Sequence, residues 1–164
     1  MEGEGGTDIL PGRGNYKSQI TNLSMPPILG ETRLRVRYAE TDQMGVVYHS
    51  NFLIWFEVGR VELLRQLGFE YSAMEREDDC HIAVVDVRVR YKSPARYDDE
   101  ILVRTRLKNV RDSLLHFTYE VARATDGALL AEGETTHLIV NKNMERKTLP
   151  EKYQAAFKKA AGHP

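Results

Sequence analysis

Between residues 33 and 38 the chain alternates: Leu34, Val36 and Tyr38 interleave with Arg33, Arg35 and Arg37. A period of two predicts a half-buried strand. The alternation lapses into a polar loop around Gly45 that ends on Ser50 and Asn51, both good helix N-caps. Residues 52–67 carry Phe52, Leu53, Ile54, Trp55, Phe56, Val58, Val61, Leu63, Leu64 and Leu67, and Gly68 stops the run. This predicts a helix whose first turn and a half is apolar on every side, so other structure must wrap it. Residues 72–77 predict a short second helix.

Strand periodicity then takes over. Ala83, Val85, Val87, Val89 and Tyr91 alternate with Asp86, Arg88 and Arg90; Ile101, Val103, Thr105 and Leu107 with Arg104, Arg106 and Lys108; Leu115, Phe117, Tyr119 and Val121 with His116, Thr118 and Glu120. A last strand covers 129–140, with Asp126-Gly127 as the hairpin signal before it and Arg111-Asp112-Ser113 as an earlier turn. Pro150 opens a C-terminal helix to about Ala161. The string predicts an α+β protein: an antiparallel sheet of about five strands wrapped around one long central helix, the hotdog arrangement. The sheet edge needs a partner, so a dimer is expected, or a tetramer built from dimers.

Composition narrows the classes. The 164 residues suit one domain, placed at residues 31–164. Residues 1–30, punctuated by Gly and Pro, read as a flexible arm, with Met25 as an alternative start. Lys and Arg total 23 against 24 Asp and Glu, a net charge of −1, which argues against non-specific nucleic-acid binding. The single cysteine, Cys80, forms no internal disulfide or CxxC metal site and suits a reducing compartment. No apolar run approaches the roughly 18 residues of a membrane span, and no signal-like stretch opens the chain. A cytoplasmic location is expected.

Candidate chemistry concentrates in residues 38–52, YAETDQMGVVYHSNF, which gather Tyr38, Glu40, Asp42, Tyr48 and His49 before a helix N-terminus. Free backbone N–H groups and the positive end of the helix dipole can hold an oxyanion there. Gly45 lets the backbone approach a ligand closely. A nearby carboxylate can act on a carbonyl directly or through water. The plainer alternative is a polar loop whose Asp and Ser serve as turn and cap residues.

Tyr38, Thr41-Asp42, Gly45, Val47-Tyr48-His49 and Asn51, then Phe56-Glu57 and Arg60 on the helix, resemble the 4-hydroxybenzoyl-CoA thioesterase family. The likeness is closer to its YbgC-type, Tol–Pal-associated branch. It spans about residues 32–143 and includes the Tyr91-Lys92-Ser93-Pro94-Ala95 turn. It implies the hotdog fold and hydrolysis of acyl-CoA thioesters. It places the catalytic Asp at Asp42, as nucleophile or general base, and the helix-start residue whose N–H polarises the thioester carbonyl at His49. Tyr38 matches the branch's Tyr position, Tyr48 an aromatic position that packs against the acyl group, and Asn51 joins the substrate-binding set. No cofactor is implied beyond CoA, which belongs to the substrate. Partner proteins of an envelope complex or of lipid metabolism would suit the branch.

Other residues read more simply. Glu57 lies three residues before Arg60, the spacing of an intrahelical pair, so it reads as structural. Glu40, two residues before Asp42, is expected to be exposed and outside the site. Cys80 and His81 point to opposite faces of a strand and form no dyad. His116 and His137 stand alone, so no metal is assigned. Residues 81–112 carry eight basic and five acidic side chains, mostly a solvated sheet face. Lys92 and Arg111 are candidates for the phosphates of CoA. Two competing functions remain: an enoyl-thioester dehydratase or hydratase on the same fold, for which His49 and Asp42 would form the acid/base pair, and a non-catalytic acyl-thioester binder.

Overall fold

The computed structural model describes residues 29–162. Five strands, β1 (Leu29–Arg35), β2 (His81–Tyr91), β3 (Glu100–Arg111), β4 (Leu114–Arg123) and β5 (Leu129–Val140), form one antiparallel sheet in the order β1-β3-β4-β5-β2. The long helix is α1 (Asn51–Gln66); α2 (Tyr71–Asp78) and α3 (Glu151–Ala160) are short. No helix among the described residues is long and apolar enough to cross a membrane. The arm expected over residues 1–30 and the start at Met25 lie outside the described residues, except Leu29 and Gly30, which already belong to β1.

Two glycines let α1 press onto the sheet. A Cβ on Gly133 of β5 would overlap the Phe56 ring, and one on Gly59 would meet Thr105 Oγ1 and Val103 of β3. With those positions bare, Phe56 stacks on Tyr119 with centroids 4.3 Å apart, and Trp55, Phe56, Leu63 and Leu64 are buried. Each such side chain contributes about 1.5–3 kcal/mol on leaving water. Beyond the C-terminal end of α1, Phe69 meets Tyr153 and Phe157 of α3 edge-on, at 5.0 and 5.8 Å, and Tyr153 and Phe157 are buried.

Three expectations need correction. The first strand ends at Arg35, and Tyr38 leaves the alternation: it opens a 3-10 turn, Tyr38–Glu40, and is 77% exposed. The helix is not wrapped on every side within one chain. A single sheet covers one flank: Leu53, Ile54 and Val58 stay exposed, and Leu53 and Ile54 share a groove with the exposed Val84 and Val87 of β2. Finally, β2 does not alternate evenly. Its pairing with β5 slips between Val84 and Asp86, a β-bulge. Ile82 is buried, Val89 packs partly against the core, and Val84 and Val87 border one groove beside α1.

Candidate active site

The loop before α1 is knotted by its own backbone. Asp42 N–H donates to Val46 O (2.8 Å) and Gly45 N–H to Asp42 O (2.9 Å), while Thr41 and Val47 form a bridge. Gly45 closes this turn at φ +73°, a conformation that strains any side chain. Asp42 Oδ1 accepts the Met44 N–H at 2.8 Å. Its other oxygen has no protein partner among the described residues.

What holds this loop against the helix is Glu40, and here the expectation of an exposed residue fails. Glu40 is only 4% exposed. Its carboxylate accepts the Arg37 N–H (2.7 Å), the Arg37 guanidinium (3.1 Å) and the Trp55 indole N–H (3.1 Å). Its carbonyl accepts Tyr48 N–H at 2.9 Å and the Asn51 side-chain amide at 2.8 Å. Burial alone would raise the Glu40 pKa, but the Arg37 and Trp55 donors outweigh it and hold the carboxyl below its ordinary value. Val47 N–H donates to Ala95 O (2.8 Å) and Arg123 to Pro94 O (2.9 Å), which fixes the turn after β2 beside the loop.

Between loop and turn lies a cavity of about 330 Å³. Asp42, His49, Phe52, Tyr91, Lys92 and Ser93 are among its walls. The N-terminus of α1 meets it through His49. Ser50, the N-cap, makes no side-chain cap. Among the described residues the N–H groups of His49 and Ser50 donate to no protein acceptor, whereas Asn51, Phe52 and Leu53 donate to carbonyls three residues back. A half-buried carboxylate and His49, with its unspent N–H at the helix start, thus flank one opening.

Of the residues singled out from sequence, Asp42, His49 and Lys92 line this cavity, and Lys92 also pairs with Glu132 at 3.1 Å. The others do not. Tyr38 lies on the surface, edge-on to Tyr97 at 5.6 Å. Tyr48 is half-exposed and stacks obliquely on His49, 4.3 Å away. Gly45 shapes the turn, and Asn51 ties the helix start to Glu40. Arg111 ends β3 at its hairpin with β4, while Tyr91 and the cavity lie at the opposite end of the sheet; a strand of that length spans roughly 36 Å. Tyr91 and Ser93 are wall residues that the sequence reading assigned only to strand and turn. The motif Tyr91-Lys92-Ser93-Pro94-Ala95 was their one visible signal.

The remaining candidates fall away. Arg60 reaches Tyr119 O–H at 3.4 Å and forms no ion pair with Glu57, which borders the separate groove between α1 and β2. Burial pushes the Cys80 thiol up to about 11, so little thiolate forms near neutrality. Burial, with Arg60 and His116 nearby, lowers the His137 pKa to about 3 and keeps it neutral. Among the described residues no three His, Cys, Asp or Glu side chains gather as metal ligands.

Residues 36–157 match the family model of the thioesterase-like superfamily. The acyl-CoA thioester hydrolase YbgC of Escherichia coli is 34% identical over 126 residues, covering 76% of this chain and 92% of that protein. In structure, the hypothetical protein TT1821 of Thermus thermophilus superposes with a TM-score of 0.75 at 38% identity, over 80% of this chain and 96% of the other. A DHNA-CoA thioesterase of Staphylococcus aureus does so at 0.73 and 31%, over 80% and 87%. With the helix, the five-stranded sheet and the match over most of its length, this chain belongs to the thioesterase-like superfamily of hotdog proteins.

Proposed function

We propose that this protein hydrolyses acyl-CoA thioesters to a free acid and CoA in the cavity between Asp42 and the N-terminus of α1. The observation that carries the reading is the pairing, on one opening, of a carboxylate oxygen free of protein partners with His49, the helix-entry residue whose backbone N–H is unspent. Either Asp42 adds to the thioester carbon, giving a mixed anhydride that water then cleaves, or Asp42 takes a proton from an attacking water. In both routes a C–O bond forms and the carbonyl electron pair moves to oxygen, beside the helix donors. Collapse breaks the C–S bond, and CoA leaves as thiolate to be protonated. No resident cofactor is required. Phe52 and Tyr91 supply an apolar wall for a short aliphatic or aromatic acyl group, and Lys92 a cation at the rim for CoA phosphate.

The same reading includes a homodimer. β1 has a short edge studded with Arg33, Arg35 and Glu31, whereas β2 leaves its edge open, with exposed Val84 and Val87 sharing a groove with Leu53 and Ile54 of α1. A second copy covering this stripe would complete the wrapping of the helix. Light scattering at micromolar concentration should give twice the chain mass or a multiple of it.

The deciding experiment is a panel of acyl-CoA esters with free-thiol detection. Wild type should release thiol, and Asp42→Asn should lose several orders of magnitude in kcat while still binding a non-hydrolysable acyl-CoA thioether. An Asp42→Asn enzyme as fast as wild type would remove Asp42 from the chemistry.

A further inference from the structure

The Tyr91 hydroxyl donates to the carbonyl oxygen of His49 at 3.0 Å. That carbonyl belongs to the same planar peptide unit as the Ser50 N–H, and in a trans peptide the two bonds point in opposite directions. Fixing one therefore aims the other. The His49 oxygen also accepts Phe52 N–H, at a long 3.4 Å, so the peptide is otherwise weakly restrained. The Ser50 N–H, left without an acceptor among the described residues, projects away from the helix. The Tyr91 ring is itself held: it meets Phe52 edge-on at 5.3 Å and His49 at 6.4 Å, and it forms part of the cavity wall with Asp42.

We infer that Tyr91 is a positioning residue that aims the Ser50 N–H, through the His49 carbonyl, at the developing oxyanion. The inference rests on the thioesterase reading for its chemistry, but the geometry it asserts is separable. It makes Ser50, and not His49 alone, a donor of the site. It also gives the last residue of β2 a task beyond closing a strand. Burial raises the Tyr91 pKa, so the hydroxyl keeps its proton at neutral pH and stays a donor. Being spent on the His49 carbonyl, that proton is not offered to substrate.

Tyr91→Phe deletes the hydroxyl and keeps the ring. Complete loss of an oxyanion donor typically costs 100–1000-fold in kcat, and a misaimed one should cost about tenfold. KM should stay within about twofold of wild type, and the pH profile should keep its shape. A trifluoromethyl-ketone CoA analogue, whose hydrate presents an oxyanion, should lose affinity by about the same factor as kcat. A ground-state acyl-CoA thioether should bind unchanged. Equal loss of both analogues, or kcat within twofold of wild type, would overturn the inference. A structural defect alone would instead lower Tm and spare the ratio between the two analogues. Tyr91→Leu, which also lacks the donor, should reproduce the split. If wild type releases no thiol from any acyl-CoA, the thioesterase reading fails, and the Ser50 amide and His49 carbonyl resonances still decide this point. Unshifted in Tyr91→Phe, they would show that Tyr91 does not hold the peptide.

Discussion

Replacing Glu40 with Gln is the sharpest test of how the site is held. The carboxylate accepts three hydrogen bonds inside a pocket that leaves it 4% exposed. Gln keeps the shape but offers one acceptor oxygen and turns an NH2 group toward donors. At least one of the Trp55 indole N–H and the Arg37 N–H then faces another donor. Hydrogen bonds to a charged group contribute about 1.5–3 kcal/mol each, and a buried unsatisfied donor costs about 1–3 kcal/mol. The Arg37 guanidinium is largely exposed and finds water, so its share is small. A loss of about 3 kcal/mol follows, which for a domain of this size lowers Tm by roughly 6–12 °C. Because the loop carrying Asp42 and the start of α1 both hang on this residue, kcat should fall more than tenfold as well. The pH dependence carries a sign. The folded carboxyl sits below its ordinary value of 4.5, so its stabilisation is present above that value and lost as pH falls through the folded pKa. Thermal melts of the two proteins should therefore differ most at pH 7 and converge under acid. Equal Tm at pH 7, with kcat within tenfold, would refute this account and restore Glu40 to the surface role suggested by sequence.

Two further perturbations separate the parts. His49→Ala should lower kcat only partly, since the backbone donors survive; a loss as deep as that of Asp42→Asn in the thiol-release assay would show that the imidazole itself is indispensable. Gly133→Ala should push Phe56 off the sheet and destabilise by about 1–3 kcal/mol, read as a lower midpoint in urea, and a melt unchanged from wild type would show that α1 has room to shift.

The periodic parts of the molecule were legible because periodicity is local. Four of the strands and α1 fall close to where alternation and the apolar run put them, and Asp42 and His49 share a cavity as the motif implied. What escaped is what depends on side-chain hydrogen bonds and strand direction, which hydrophobic periodicity does not encode. Glu40 and Asp42 look alike in a polar loop; only the Trp55 indole, fifteen residues on, buries the first and spares the second. Tyr38 continues the alternation on paper, but the Glu40 carboxylate captures the Arg37 N–H and bends the chain out of the strand. Arg111 carries the right charge at the wrong end of β3, a matter of strand direction that residue types do not encode. Tyr91 reads as a strand residue until the start of α1 is brought against it.

The β2 bulge sets the reading frame of that strand. In an even pleat, Ile82 and Val89, seven residues apart, would face opposite sides, yet both meet the core, because the extra residue near Val85 shifts the phase by one. Everything downstream inherits the shift, including Tyr91 at the far end. Deleting Val85 would take out the extra residue and the bulge together and leave the downstream frame intact, whereas an even pleat forced on the full-length strand would act as a frame error in three dimensions. Such a pleat would turn Arg88 and Arg90 toward the core side and swing Tyr91 away from His49, disabling the site with every wall residue unchanged in identity.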